Sequence, residues 1–350
     1  MRTTTLLTAA ALLAAATGAW GQEPPAELPR LALEDDDISV IGISSGGYMA
    51  TQLAVAWPEH FTGLGVLAAG PWSCAEGSLG QALGQCMSTR HGPPDLDALA
   101  DRRRDYQTRD LVGSDAAFAT LRAFVWHGAA DEVVAPTLGE ALATQLRDWL
   151  AAPETQLRVR QAPDTGHGWP IRTRGRDIPT AQLADCRLGG GTHLLACDTD
   201  LAGELLDWLH GDLVPPDAPA DDAGQLLTFD QTAFDAKGLA DTGYLYLPAG
   251  CETGDCNLTL ALHGCSMAAE QIGEAFVRHT GLNAWAAAND RAVLYPQAES
   301  SLANPRGCWD WWGFAESTWQ LHPLHDTREG TQMGALMAML ARLTDTPAEE

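Results

Sequence analysis

The chain has 350 residues, 45% of them hydrophobic, and carries a formal charge of −25 with Lys237 as its single lysine. The length allows one large domain or two small ones, and the apolar content is ample for a packed core. The charge excludes a phosphate-backbone binder, because nucleic acid requires a basic surface; an acidic, well-hydrated surface instead keeps such a chain soluble.

In chain order, residues 1–21 read as a secretory signal peptide: Arg2 supplies the positive region, 6–16 are apolar, and Ala19-Trp20-Gly21 offers small residues for cleavage. The mature protein is therefore expected to be secreted or periplasmic, and no other apolar run is long enough to span a membrane. The eight cysteines fall into local couples, Cys74/Cys86, Cys186/Cys197, Cys251/Cys256 and Cys265/Cys308. An even count in an exported chain favours disulfides, while the absence of CxxC pairs argues against a metal site. Spacing alone leaves about 105 pairings open.

After a Pro/Glu-rich linker over 22–29, the apolar run 38–41 reads as a strand and 48–57 as a helix ended by Pro58. Between them lies Gly42-Ile43-Ser44-Ser45-Gly46-Gly47, which fits the nucleophile-elbow pattern G-x-S-x-G. A serine on a sharp strand-to-helix turn lifts its hydroxyl out of the sheet, and the glycines let the backbone turn beside it. The helix starting behind Ser44 turns free N–H groups and its positive dipole end toward any oxyanion that forms.

A strand over 64–68 and an Arg-rich helix over 96–111 follow. The strand 123–126 runs into His127-Gly128-Ala129-Ala130-Asp131-Glu132, and an acid just past a strand end is where a triad carboxylate sits. Asp131 is that acid, although the same position also suits a capping carboxylate before Pro136. A helix over 137–150 and a strand over 156–161 lead to Gly166-His167-Gly168, whose flanking glycines would give the imidazole room to swing over the nucleophile. His127 and His193 are the rivals. His127 is expected to pack or hydrogen-bond locally, and His193, between Cys186 and Cys197, to lie on the surface. Ser44, Asp131 and His167 follow the chain order nucleophile, acid, base.

The oxyanion element is missing from its usual place upstream of the nucleophile. Far downstream, a strand over 258–262 runs into His263-Gly264-Cys265, with strand-like segments at 243–248 and 292–295 around it and a closing helix over 332–343. Such a front half of a hydrolase sheet, placed after the back half, implies a circular permutation. The C-terminal helix should then end beside the start of the 38–41 strand. The Pro/Asp/Ala-rich stretch 214–222 should be a linker inside one domain covering 22–350, without a separate polymer-binding domain.

The segments Gly42 to Ala50, Leu262-His263-Gly264-Cys265 and Gly307-Cys308-Trp309-Asp310-Trp311 together resemble the extracellular poly(3-hydroxybutyrate) depolymerases of the single-domain, circularly permuted α/β-hydrolase type. The resemblance implies a serine esterase that cuts a short-chain polyhydroxyalkanoate through an acyl-enzyme, as a monomer and without a cofactor. Its triad would be Ser44, Asp131 and His167, with the N–H groups of Ser45 and Cys265 as the oxyanion hole. Trp309, and more weakly Trp311, would line a cleft for a hydrophobic polyester. The four cysteine couples would be disulfides. Physically, an uncharged, insoluble polyester suits an apolar face without cations, and the chain's twelve tryptophans outnumber its tyrosines and phenylalanines, although a given tryptophan is more often core. Two other readings share these features: a secreted esterase acting on feruloyl or acetyl groups of polysaccharide, and a polymer-binding protein that has lost catalysis.

Overall fold

The structure is a computed structural model that describes residues 25–216, 224–316 and 322–347. The predicted signal peptide and most of the 214–222 linker lie outside the described residues.

Nine strands form one sheet: β1 (Ala26–Glu27), β2 (Ile38–Ile43), β3 (Gly63–Leu67), β4 (Arg122–Gly128), β5 (Leu157–Ala162), β8 (Gly224–Asp230), β9 (Thr242–Pro248), β10 (Asn257–Leu262) and β11 (Arg291–Tyr295). A separate two-stranded ribbon pairs β6 (Trp169–Pro170) with β7 (Leu194–Leu195). The order across the large sheet is β1-β8-β9-β11-β10-β2-β3-β4-β5, and β9 runs antiparallel to both of its neighbours while the other pairings are parallel. This is an α/β-hydrolase sheet whose front half comes from the C-terminal part of the chain. The expected neighbours meet. Leu31 and Leu33 donate to the carbonyl of Leu343, near the end of the helix Thr331–Thr344, and Ala32 donates to that of Asp345. The two sequence halves then join edge to edge, with Leu258↔Ile38 through Leu262↔Gly42 in parallel register.

Alternation along the strands explains the two cores. Ile38 and Val40 face one side of β2, with Leu258, Leu260 and Leu262 of β10 beside them, against Met49 and Leu53 of the elbow helix and Leu336 of the C-terminal helix. Ile41 and Ile43 face the other side, against Leu205 and Leu206 of the helix Leu201–His210 and Phe276. A strand buried on both faces gives the continuous apolar runs seen in the sequence. The predicted strands and long helices are present with most ends shifted by no more than two residues; the elbow helix starts three residues earlier, at Ser45, and the Arg-rich helix stops three earlier, at Thr108. Strand β8 and the helix Leu201–His210 were not anticipated. β8 is only partly buried, so its period is weak.

Four disulfides close: Cys74–Cys86, Cys186–Cys197, Cys251–Cys256 and Cys265–Cys308. Among the described residues no helix is long and apolar enough to cross a membrane.

Candidate active site

The register that joins β2 to β10 and β3 brings the carboxyl ends of these strands level, so the turns leaving them share one rim. Ser44 leaves β2 in a left-handed conformation, φ 56° and ψ −121°, which a non-glycine residue adopts only at a cost. It is held there by its own N–H, which donates to Leu67 O at 2.8 Å, and by its carbonyl, which accepts from Tyr48 N at 3.1 Å. The motif glycines are required by space. A Cβ on Gly42 would overlap the backbone of Gly46, and one on Gly46 would overlap the carbonyl oxygens of Leu262 and His263 at the end of β10. The elbow therefore presses directly on the His263-Gly264-Cys265 turn. Ser45 is the first residue of the helix Ser45–Ala56, so its N–H lies among those that no intrahelical carbonyl can satisfy.

Asp131 and His167 stand together on the loops after β4 and β5. His167 Nδ1 lies 2.7 Å from Asp131 Oδ2, and both side chains are buried. Asp131 Oδ1 meanwhile accepts from the N–H groups of Val133 at 2.8 Å and Val134 at 2.9 Å. The capping and triad-acid readings of Asp131 thus use one oxygen each. His127 Nε2 sits 2.9 Å from Val134 O and 3.2 Å from Asp131 Oδ2. Both are acceptors, so this nitrogen carries a proton and adds a further donor to the carboxylate. Burial by itself would raise the Asp131 carboxyl, but the His127 and His167 bonds outweigh it and hold the carboxyl well below the usual carboxylate range. It stays ionised and orients the His167 ring through Nδ1.

The loop carrying His167 is braced rather than loose. Gly166 N donates to Cys186 O at 2.9 Å and Trp169 N to His193 O at 2.7 Å, while His193 Nδ1 lies 3.3 Å from His167 O. The segment closed by Cys186–Cys197, expected at the surface, is folded under the histidine. Its His193 ring meets the His167 ring edge-on at 5.7 Å and lines the same cavity as Ser44. The expectation missed this because sequence distance from the motif says nothing of the ribbon formed by β6 and β7.

On the opposite wall, the turn after β10 is fixed from four sides. His263 is fully buried. Its Nδ1 donates to Gly264 O at 2.8 Å and its Nε2 accepts from Ala298 N at 3.1 Å. Burial lowers its pKa to about 4, so the ring is neutral. Trp309 Nε1 donates to His263 O at 3.0 Å. The Cys265–Cys308 bridge ties the turn to the tryptophan segment. Finally, a Cβ on Gly264 would lie 2.9 Å from Met267 Sδ and 3.2 Å from Ser44 Cβ, so a side chain there would crowd the serine.

Ser44, His167, His193 and Cys265 line one cavity of about 560 Å³. Trp311 and Trp312 form part of its wall, and Trp311 stacks on Tyr48 with ring centroids 4.3 Å apart. Trp309 is a correction. It is fully buried behind the wall, and its side chain clamps the oxyanion turn instead of facing substrate, because its indole N–H is spent on His263 O. Trp311, the weaker candidate, is the one that reaches the cavity. Sequence reasoning also missed the Cys74–Cys86 side: Leu79, Leu83 and Val133 line the mouth, and 51%, 49% and 41% of their respective surfaces remain exposed. A polar-looking loop gives no periodic signal for such a rim.

The prolyl oligopeptidase family model matches residues 30–184. The poly(3-hydroxybutyrate) depolymerase of Delftia acidovorans is 31% identical over 322 residues, covering 91% of this chain; the chain spans 61% of that relative's length. The polyhydroxybutyrate depolymerase of Talaromyces funiculosus is 32% identical over 331 residues, covering 90% of this chain and 92% of the relative. The crystal structure of a PHB depolymerase from Penicillium funiculosum superimposes with a TM-score of 0.81 at 30% identity, covering 91% of this chain and 98% of that one. A PHB depolymerase solved with an R3HB trimer matches equally, with a TM-score of 0.81.

Proposed function

Because the chain belongs to the poly(3-hydroxybutyrate) depolymerase family, we propose that it is a serine esterase hydrolysing poly(3-hydroxybutyrate) or a related short-chain polyester. The observation that carries this reading is the cavity itself. A strained serine, an imidazole backed by an ionised carboxylate, and a braced oxyanion turn open onto a mouth of exposed Leu79, Leu83 and Val133. Ser44 attacks an ester carbonyl while His167 Nε2 takes its proton, and Asp131 steadies the resulting imidazolium. The N–H groups of Ser45 and Cys265 receive the oxyanion, each donor being worth about 3 kcal/mol at the transition state. The alcohol end of the downstream chain leaves with the proton from His167, and water then releases the acyl group by the same route. The exposed apolar side chains at the mouth favour an uncharged polymer surface, with Trp311 and Trp312 as rigid walls.

We also read the chain as exported, since four disulfides need an oxidising compartment, and residues 22–350 as one monomeric catalytic domain. The test is turbidity clearing of a poly(3-hydroxybutyrate) suspension with Ser44→Ala alongside. Clearing by the wild type alone is expected. Turnover of a soluble p-nitrophenyl ester without clearing would sink the substrate assignment and leave a polysaccharide esterase in its place.

A further inference from the structure

Most arginines of this acidic chain hold a carboxylate: Arg160 meets Glu204 at 2.8 Å, Arg174 meets Asp198 at 2.9 Å and Arg172 meets Asp200 at 3.1 Å. Arg306 does not. It is exposed, it lines the cavity that holds Ser44 and His167, and it makes no ion pair among the described residues. Arg90, Arg122, Arg147 and Arg158 also show no carboxylate partner among the described residues, but Arg306 is the arginine that lines the cavity of Ser44.

Its mounting is rigid. Ser266, next to the oxyanion turn, donates its N–H to Arg306 O at 2.6 Å, and Asn304 braces the same loop by exchanging bonds with the backbone of Cys308 at 2.8 and 3.0 Å. The Arg306 cation shares this cavity with His167 and His193. Its charge helps to lower the pKa of His193, after the larger effects of burial and of His167, and the His193 ring is the one that meets His167. The exposed carboxylate on the cavity wall, Glu132, belongs to the loop of Asp131 and would repel an anion lying there.

The interior of a polyester offers a guanidinium no charge, but each chain ends in one free carboxylate. We propose that Arg306 binds this terminal carboxylate of 3-hydroxyalkanoate oligomers and so directs cleavage to the last ester bond, an inference that rests on the polyester reading above. Ser44 Oγ bonds to the carbonyl carbon of the penultimate unit, and the bond from that carbon to the terminal unit's oxygen breaks. That oxygen takes the proton held on His167. The terminal hydroxyacid leaves with its carboxylate ionised throughout, and water hydrolyses the remaining acyl-enzyme. Arginine suits this role because its planar donors match a carboxylate two-by-two.

The experiment compares kcat/KM for a 3-hydroxybutyrate trimer as the free acid and as its methyl ester, in the wild type, Arg306→Gln and Arg306→Lys. The wild type is expected to prefer the acid about tenfold through KM, with a preference that shrinks as salt rises. In Arg306→Gln the acid-over-ester ratio falls to about one, and Arg306→Lys retains part of it. Because the ratio is taken within each variant, a general loss of activity cannot imitate the result. A wild type without acid preference, or a ratio unchanged in Arg306→Gln, overturns the assignment while leaving the esterase intact. Turnover of neither trimer, with a p-nitrophenyl ester still consumed, overturns the polyester reading first and the assignment with it.

Discussion

His263 shows how much of a site can depend on a residue that never touches substrate. Its ring is fully buried, satisfied at both nitrogens, and holds the turn that presents the Cys265 N–H. The folded protein keeps this ring neutral down to about pH 4, whereas an unfolded histidine takes a proton near pH 6.5. Between those values the unfolded chain binds more protons, so stability rises with pH across the window and is lost as pH falls through it. The full depth is about 3 kcal/mol. Unfolding free energies from urea titrations at pH 7 and pH 4.5 should differ by most of that amount in the wild type and by clearly less in His263→Gln. An unchanged slope in the variant would move the effect to other groups. At the same scale, the sequence named Ser44, Asp131 and His167 because spacing and chain order carry information. It mistook Trp309 for a wall residue because a tryptophan cluster does not say which ring faces inward.

Among the elements, the Cys265–Cys308 segment does the most to shape the site. Its bridge closes a loop of 43 residues, against 5 for Cys251–Cys256. Chain entropy alone then assigns about 4 kcal/mol to the former and about 2 kcal/mol to the latter. The geometry adds a functional difference, because Cys265 lines the cavity beside Ser44, where we propose its backbone N–H as an oxyanion donor, and Trp309 follows Cys308 directly. Replacing Cys265 and Cys308 with alanine keeps the donor but frees its loop. Ester turnover should fall by about two orders of magnitude, approaching the loss of one oxyanion contact. The Cys251/Cys256 pair, treated alike, should lose stability with little change in kcat. Equal kcat losses in the two double variants would show that the long bridge has no special hold on the turn. The Cys186–Cys197 loop gives the complementary lesson. Its sequence reads as a surface excursion, yet it lies under His167 because β7 pairs with β6 immediately after the loop carrying His167.

For the whole molecule, the join between the sequence halves is the controlling feature. Near the amino ends of the central strands, Asp37 pairs with Arg291 and lies 2.9 Å from His210 Nδ1, while His210 Nε2 is 3.1 Å from Ser39 Oγ. This is a second Ser-His-Asp arrangement, but Ser39 is buried in β2 with its hydroxyl 2.9 Å from Thr259 of β10. The network's bonds stitch β2, β10 and β11 together. Triad geometry alone therefore does not make a site. If 22–350 is one folding unit, chains 22–216 and 224–350 expressed separately should each lack cooperative unfolding, since β2 and β10 would expose their shared edges. Co-expression should restore soluble, Ser44-dependent esterase. Two independently folding halves would refute the single-domain reading.

What the sequence determined by itself was whatever local chemistry can encode. The elbow needs small residues at Gly42 and Gly46, buried strands need continuous apolar runs, and a displaced His-Gly-Cys turn signals that the sheet has been permuted. The tertiary structure alone decided which faces meet. It set Gly46 against the end of β10, brought His193 beside His167, buried Trp309 behind the wall while Trp311 reaches the cavity, and left Arg306 without an ion pair there among the described residues. These depend on strand register and on how separate loops pack together, and no local pattern in the chain specifies such contacts.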